Sequence, residues 1–455
     1  MVKYRRLSSV MVCILASFFA MSALGQSKSF SREQMVQDID TLFSTIEKVH
    51  PDMYAVYSKQ KLEQDIEKVK SELKQSGDIF YFYKCITPLV VKLGDGHTNV
   101  FPPFHEPDDF TDLLFFPLSV NITSLDKEIF IRNNHNAIVI PIGAQIISIN
   151  NRKAESIVQE MMNYSSGEKD FYRIDKLESL FTPLMCILYG DSTYEIEYLY
   201  NQEKHSVKIN AISFNEVSKT VSQQNNITSS EPFTFRTLTD KNIGIIEFNQ
   251  FIDLDKFKVF LDSTFQVIQK ENIKNLIIDI RKNGEGNSSL GDELFQYISP
   301  TSFAQFGKTI VKYSDIQKQF YKTNYNQDIS NPNGIEIYNE NEKMIELRDN
   351  NLQYKGNLFL LISHFTFSSA SKFSWAFKYF KMGTVIGEET GGMAVTFGDM
   401  ISQKLPNTGL VYGISHKKFY SYGTTDDNIH GTLPNYDIES EKTLDFTIDL
   451  ITRRK

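Results

Sequence analysis

Apolar positions recur with three different rhythms along the chain. From Ser31 to Leu93 the rhythm is helical. Met35, Ile39, Leu42, Phe43 and Ile46 share one face behind a Ser31-x-x-Gln34 capping box. Ser58 opens a second helix through Leu62, Ile66, Val69 and Leu73, and Asp78 is placed to cap a third that ends near Leu93. Between 113 and 212 short β-rich runs alternate with turns: Phe116, Leu118 and Val120 at every second position, then Glu128 to Ile131, then Ile138 to Ile140. The stretch Gly143–Asn151 reads as a strand and an Asn-Asn turn leading into a helix from Ala154 to Met162. From 233 onward the apolar runs become continuous, at Ile243–Phe248, Leu276–Ile280, Leu358–Ile362 and Thr384–Gly387. Continuous apolar strands need cover on both faces, and these alternate with helical segments such as Leu254–Gln269 and Phe367–Phe380. That predicts a mainly parallel sheet.

These rhythms divide the chain. Residues 1–25 are a leader, 26–112 an N-terminal helical domain and 113–212 a small β-rich module. A polar linker follows at 213–232, then an α/β core at 233–455, in which the polar, Tyr/Asn-rich stretch 300–355 reads as an insertion. The leader has the marks of a secretory signal peptide: Lys3, Arg5 and Arg6, an apolar run from Val10 to Leu24, and small residues at Ala23 and Gly25. The run is shorter than the roughly 20 residues of a spanning helix. The expectation is export to the periplasm or beyond, with no membrane span after cleavage. Cys13 sits inside the run and leaves with it. Cys85 and Cys186 each lie in an apolar run and read as separately buried thiols, although an exported protein could pair them.

Composition narrows the function classes. With 41% hydrophobic and 23% charged residues among 455, the chain is neither disordered nor a multi-span membrane protein. Its net charge of −8 becomes −11 once the leader and its three cations are gone. With no basic cluster, nucleic acid is not an expected partner. No Cys-x-x-Cys and no His-Glu-x-x-His occurs, so no metal and no cofactor is expected.

Three turns carry possible chemistry. Gly94-Asp95-Gly96-His97-Thr98 presents an imidazole between flexible neighbours. Arg281-Lys282-Asn283-Gly284-Glu285-Gly286-Asn287 joins a strand to a helix and leaves backbone amides pointing outward, as an oxyanion site requires. Thr366-Phe367-Ser368-Ser369-Ala370-Ser371 leaves a buried strand and enters a helix. Taken singly they read as a loop histidine, a βα turn and a helix N-cap. No Gly-x-Ser-x-Gly elbow is present.

In this order, and followed by Val-Ile-Gly-Glu-Glu-Thr-Gly-Gly at 385–392, the three turns resemble the serine peptidase family of C-terminal processing (tail-specific) proteases and the tricorn core. The resemblance is strongest at 93–98, 274–291 and 358–392. It implies a multidomain α/β fold: a helical N-terminal domain, a PDZ-like module whose carboxylate-binding edge is Ile140–Ile149, and a ClpP/crotonase-like peptidase core. It implies Ser368 as nucleophile, with the Ser369 amide and the Gly284 region as the oxyanion hole. The lysine used as base in one branch is missing at Gly391-Gly392-Met393. His97 matches the base of the histidine, tricorn-like branch. The third member, a Glu in that branch, would fall on Asp427 or on Asp426. Lys372, one turn after Ser368, is given no catalytic role. Ser369 stands where tricorn carries the acid that selects basic side chains, so that specificity is not implied. The expected function is an exported serine-type endopeptidase acting on peptides or protein tails. The alternative is an inactive peptide-binding relative.

Overall fold

The computed structural model describes residues 28–104, 113–123, 126–135, 140–217, 219, 231–340 and 343–453. The leader, the run at 138–139 and most of the 213–232 stretch lie outside the described residues.

Three helices open the fold: α1 (Arg32–Val49), α2 (Lys59–Glu72) and α3 (Ile79–Val91). The capping box is formed. Ser31 Oγ accepts the Gln34 N–H while the Gln34 side chain accepts the Ser31 N–H. Asp78 caps α3 by accepting the Tyr81 N–H at 2.7 Å. The β-rich module follows, with β1 (Leu118–Ile122), β2 (Ile129–Asn134), β3 (Gln145–Ile149), α4 (Ala154–Met161), α5 (Asp170–Leu188), β4 (Thr193–Tyr200) and β5 (Glu203–Asn210). Its strands pair antiparallel in the order β5-β4-β3-β2-β1. The short apolar runs give no sign of the 19-residue α5, which buries Tyr172, Ile174, Leu177, Phe181 and Leu184. Cys85 and Cys186 are both free thiols.

The α/β body contains β6 (Phe233–Leu238), β7 (Ile243–Phe248), α6 (Leu254–Lys270), β8 (Asn275–Asp279), α7 (Ser289–Ile298), β9 (Phe306–Tyr313), α8 (Asp315–Tyr325), β10 (Gly334–Asn339), β11 (Asn357–Ile362), α9 (Ser369–Tyr379), β12 (Thr384–Gly387), β13 (Val395–Lys404), β14 (Val411–Ser421) and α10 (Thr443–Arg453). Its main sheet runs β6-β7-β8-β11-β12, then Tyr436–Asp437; only β6 is antiparallel to its neighbour. Both faces are covered. Ile246, Ile278 and Leu360 pack into the cluster that holds residues of α6, α7 and α9. Ile245, Ile277 and Phe359 join Ile451 of α10 on the other side. The unbroken apolar strands are the sequence record of that double cover.

A second sheet runs β10-β9-β14-β13. The stretch read as an insertion therefore supplies two of its strands. The short strand Asn99–Val100, just after the Gly94–Thr98 turn, pairs antiparallel with β14. This pairing ties the helical domain to the α/β body. Ile401, Tyr412 and Ile414 of β13 and β14 belong to the same hydrophobic cluster as α1, α3 and the β-rich module. Among the described residues no helix is long and apolar enough to cross a membrane.

Candidate active site

The turn that carries Ser368 is laced to the Gly-rich turn beside it. Thr366 Oγ1–H donates to Ile280 O at 3.1 Å, and the Phe367 N–H donates to Asn283 O at 3.2 Å. Asn283 is itself anchored by donation to Phe248 O at 2.8 Å. These bonds drive the chain sharply from β11 into α9. The price is backbone strain at Ser368, which sits at φ 51°, ψ −126°. A non-glycine residue held there costs on the order of 1–3 kcal/mol and marks a place where surroundings over-determine the geometry. Gly392 packs against the same turn. A Cβ there would fall 2.2 Å from Ser371 Oγ and 3.1 Å from the Ser368 nitrogen, so no side chain fits.

His97 arrives from the other end of the chain. Next to its turn, Asn99 pairs with Gly413 and Val100 with Tyr412, and Thr98 Oγ1 accepts the Ser415 N–H at 3.1 Å. Its imidazole lies 4.7 Å from the Phe367 ring, which stacks on Tyr172 of α5 at 4.1 Å. Held this way, His97 Nε2 is 3.2 Å from Ser368 Oγ. Burial pushes the imidazole below its ordinary pKa, with the Asp95 charge acting in the opposite direction. The neutral ring, the form able to take a proton, is thereby favoured at neutral pH.

Asp95 backs this arrangement. One carboxylate oxygen accepts the His97 N–H at 2.9 Å and lies 3.9 Å from His97 Nδ1. The other accepts from Ser415 Oγ at 2.7 Å and from His50 Nε2 at 3.2 Å. His50 Nδ1 accepts the Asp52 N–H, which places the His50 proton on Nε2, facing Asp95. Burial opposes charge on Asp95, but the hydrogen bond from His50 and the electrostatic attraction of the neighbouring His50 and His97 rings outweigh it and hold the carboxyl well below the usual range. Lys176 Nζ donates to Ser166 O and to Gly96 O, fastening the same turn to α5. Nearby, burial raises Glu168 to about 7, with Asp95 adding to the effect while Thr396 Oγ1 donates to it.

Ser368 and His97 are thus brought together. Asp427 is not: it is exposed, its N–H donates to Thr425 Oγ1, and no ion pair joins it to His97 among the described residues. Asp426 is engaged by Lys418 and Tyr420. The carboxylate facing the imidazole is Asp95, which the sequence offered in the same turn, two residues before His97. His50 gave no signal beyond its place before Pro51. Ser369 opens α9, so its N–H has no partner within the helix, and it lines the cleft beside Ser368. Gly284 lies against the Phe365 ring, while Gly286 lines the cleft and its carbonyl accepts from Ser369 Oγ. Lys372, buried in α9, donates from Nζ to Met393 O at 3.0 Å and Ala394 O at 2.9 Å. Burial lowers it to about 7, against the opposing charge of Glu168. Among the described residues no group of three His, Cys, Asp or Glu side chains is gathered as for a metal.

Comparison with known proteins bears on these turns. No curated protein sequence matches the chain significantly. Among solved structures, mature CPAF complexed with lactacystin superposes with a TM-score of 0.63 at 12% identity, covering 93% of this chain and 98% of that one. Mature CPAF alone gives 0.63 at 12%, covering 92% and 97%. At that identity the likeness speaks for the fold. The photosystem II D1 C-terminal processing protease gives 0.46 at 14%, covering 92% and 97%. Residues 242–438 match the profile of peptidase family S41. That match spans both turns around Ser368 and leaves His97 outside it; over those residues the chain is similar to peptidase family S41.

Proposed function

We propose that this protein is an exported serine endopeptidase in which Ser368 is the nucleophile and His97 the general base. The observation that carries the reading is the 3.2 Å approach of His97 Nε2 to Ser368 Oγ, on a strained strand-to-helix turn. In this reading the neutral imidazole takes the hydroxyl proton as Oγ attacks the peptide carbonyl. It then returns the proton to the leaving amine, and water completes the cycle through the same base. The developing oxyanion is met by the Ser369 N–H at the start of α9, aided by the helix dipole, and by the amides of the 284–286 turn. Asp95 rather than Asp427 supports the imidazolium, through its charge and its grip on the turn. Its distance from Nδ1 is longer than a hydrogen bond, and such contacts commonly tighten when substrate binds.

The β-rich module is proposed to hold the peptide. Its Gly143–Asn151 stretch is the carboxylate-binding edge of the PDZ-like reading, and a peptide with a free C-terminus should bind more tightly than its amidated twin. The core reading is tested with a fluorophosphonate probe and peptide mapping. One labelled residue, Ser368, supports the enzyme; absence of labelling with intact fold supports the inactive relative.

A further inference from the structure

The cleft beside Ser368 has a volume of about 510 Å³ and is walled on its far side by the second sheet. Alternation along the strands decides which side chains face it. Thr309 of β9 stands opposite Tyr338 of β10 and opposite Phe419 of β14, and all three line the cleft. Phe306 and Phe419 lie with ring centroids 5.4 Å apart, and the Tyr313 and Tyr338 hydroxyls are 3.0 Å apart. The wall is therefore largely aromatic, and Lys417 Nζ already lies 5.9 Å from the Phe419 ring centroid, which shows that the ring can take an ammonium.

Its lining carries two cations, Lys372 and Lys417, and two anions, Asp399 and Glu340, but they are not equally engaged. Lys417 Nζ is 2.5 Å from Asp399 Oδ2, so this pair cancels itself. Lys372 also lines the cleft, but its amine is turned onto the Met393 and Ala394 carbonyls. Glu340, half-buried at the end of β10, lines the cleft and has no side-chain hydrogen bond or ion pair among the described residues. An incoming carboxylate would have to break the Lys417–Asp399 pair to find a cation. An apolar side chain would cover Glu340 and leave it without a partner, which is costly. A cation meets an unpaired acceptor and aromatic faces together.

We propose that the cleft selects a cationic side chain, lysine or arginine, beside the scissile bond, its stem lying on Phe306 and Phe419 and its charge meeting Glu340. The proposal rests on the peptidase reading above and deepens it. It is independent of Ser369, which offers no charge.

The test uses the full mature chain and one fluorogenic peptide series in which the residue before the scissile bond is Lys, Arg, norleucine or Glu. Wild type should show a kcat/KM for Lys and Arg at least about tenfold above norleucine, with Glu poorest. In Glu340→Gln the Lys-to-norleucine ratio should fall about tenfold, and in Glu340→Lys the order of Lys and Glu should reverse. Binding of the same peptides to Ser368→Ala, with and without Glu340→Gln, is read by fluorescence anisotropy. Hydrolysis with no preference for Lys, or a preference that Glu340→Gln does not move, overturns the specificity and leaves the peptidase standing. Glu340-dependent binding of the Lys peptide without any hydrolysis keeps the specificity and sinks the peptidase. Neither hydrolysis nor binding overturns both.

Discussion

His97 Nε2 and Ser368 Oγ, 271 positions apart in the chain, stand 3.2 Å apart in the fold. Two separate sets of contacts hold them. The Ser368 turn is fixed by Thr366, Asn283 and Gly392 within the α/β body, and the His97 turn by Asp95, Thr98 and the pairing with β14. Each side chain can therefore be removed without disturbing the anchors of the other.

Ser368→Ala should abolish hydrolysis by several orders of magnitude while circular dichroism and melting stay close to wild type. Ser369→Ala should retain most of the rate, because its contribution is a backbone N–H. Turnover retained in Ser368→Ala and lost in Ser369→Ala would move the nucleophile by one residue.

The pH profile should report His97. Its pKa is lowered by burial, so the protonated, inactive ring forms only below the ordinary value of ~6.5. The rate should rise from acid, with a midpoint below that value, and be level at neutral pH. His97→Ala should be as inactive as Ser368→Ala. A midpoint well above 7 would point to a different base.

Lys372→Met should keep hydrolysis within about tenfold of wild type, since Nζ is committed to the Met393 and Ala394 carbonyls. It should, however, change the pH dependence of stability. The folded lysine is lowered to about 7, so between pH 7 and ~10.4 the unfolded chain holds a proton that the folded chain lacks. Wild type should gain stability relative to Lys372→Met as pH rises through that window. Urea melts of both proteins at several pH values check the sign, and a difference that shrinks with rising pH contradicts it.

Asp95→Asn should lower kcat by about 10²–10⁴, as loss of the carboxylate behind a catalytic imidazole does. Asp427→Asn should stay within about twofold of wild type, because Asp427 is exposed and, among the described residues, no hydrogen bond or ion pair joins it to His97. Steady-state kinetics with one peptide separates the two. The reverse pattern would return the supporting role to the 426–427 turn.

Local pattern made much of this legible. Leu276–Ile280 and Leu358–Ile362 announce a sheet covered on both faces because no polar position breaks the second and only Asp279 enters the first, near its end, and Ser31 and Asp78 mark helix starts by the donors they can satisfy. The α5 helix was hidden because its apolar residues spread around much of its circumference, as fits an element packed between layers, and Pro183 sits within it. The role of 300–355 was hidden for the opposite reason: β10 is a short edge strand whose exposed Ile335 and Ile337 alternate with Glu336 and Tyr338, set in a stretch rich in Asn, Gln and Lys. Asp95 could be seen as a residue but not as a partner of His50 and Ser415, since those contacts span 45 and 320 positions. Asp427 was placed by analogy of position along the chain, and position along the chain does not determine distance in space.

The two-residue strand Asn99–Val100 has a consequence for the safety of such a molecule. It is the seam that holds the His97 turn in place, and Val100 on one side and Tyr412 and Ile414 on the other belong to one hydrophobic cluster. A copy whose first hundred residues have come away from β14 carries a hydroxyl with no base beside it. In the proposed peptidase reading such a copy does not cut its neighbours, however well the α/β body is folded. In that reading competence requires this pairing, so a copy in which it has not formed does not cut the unfolded chains around it.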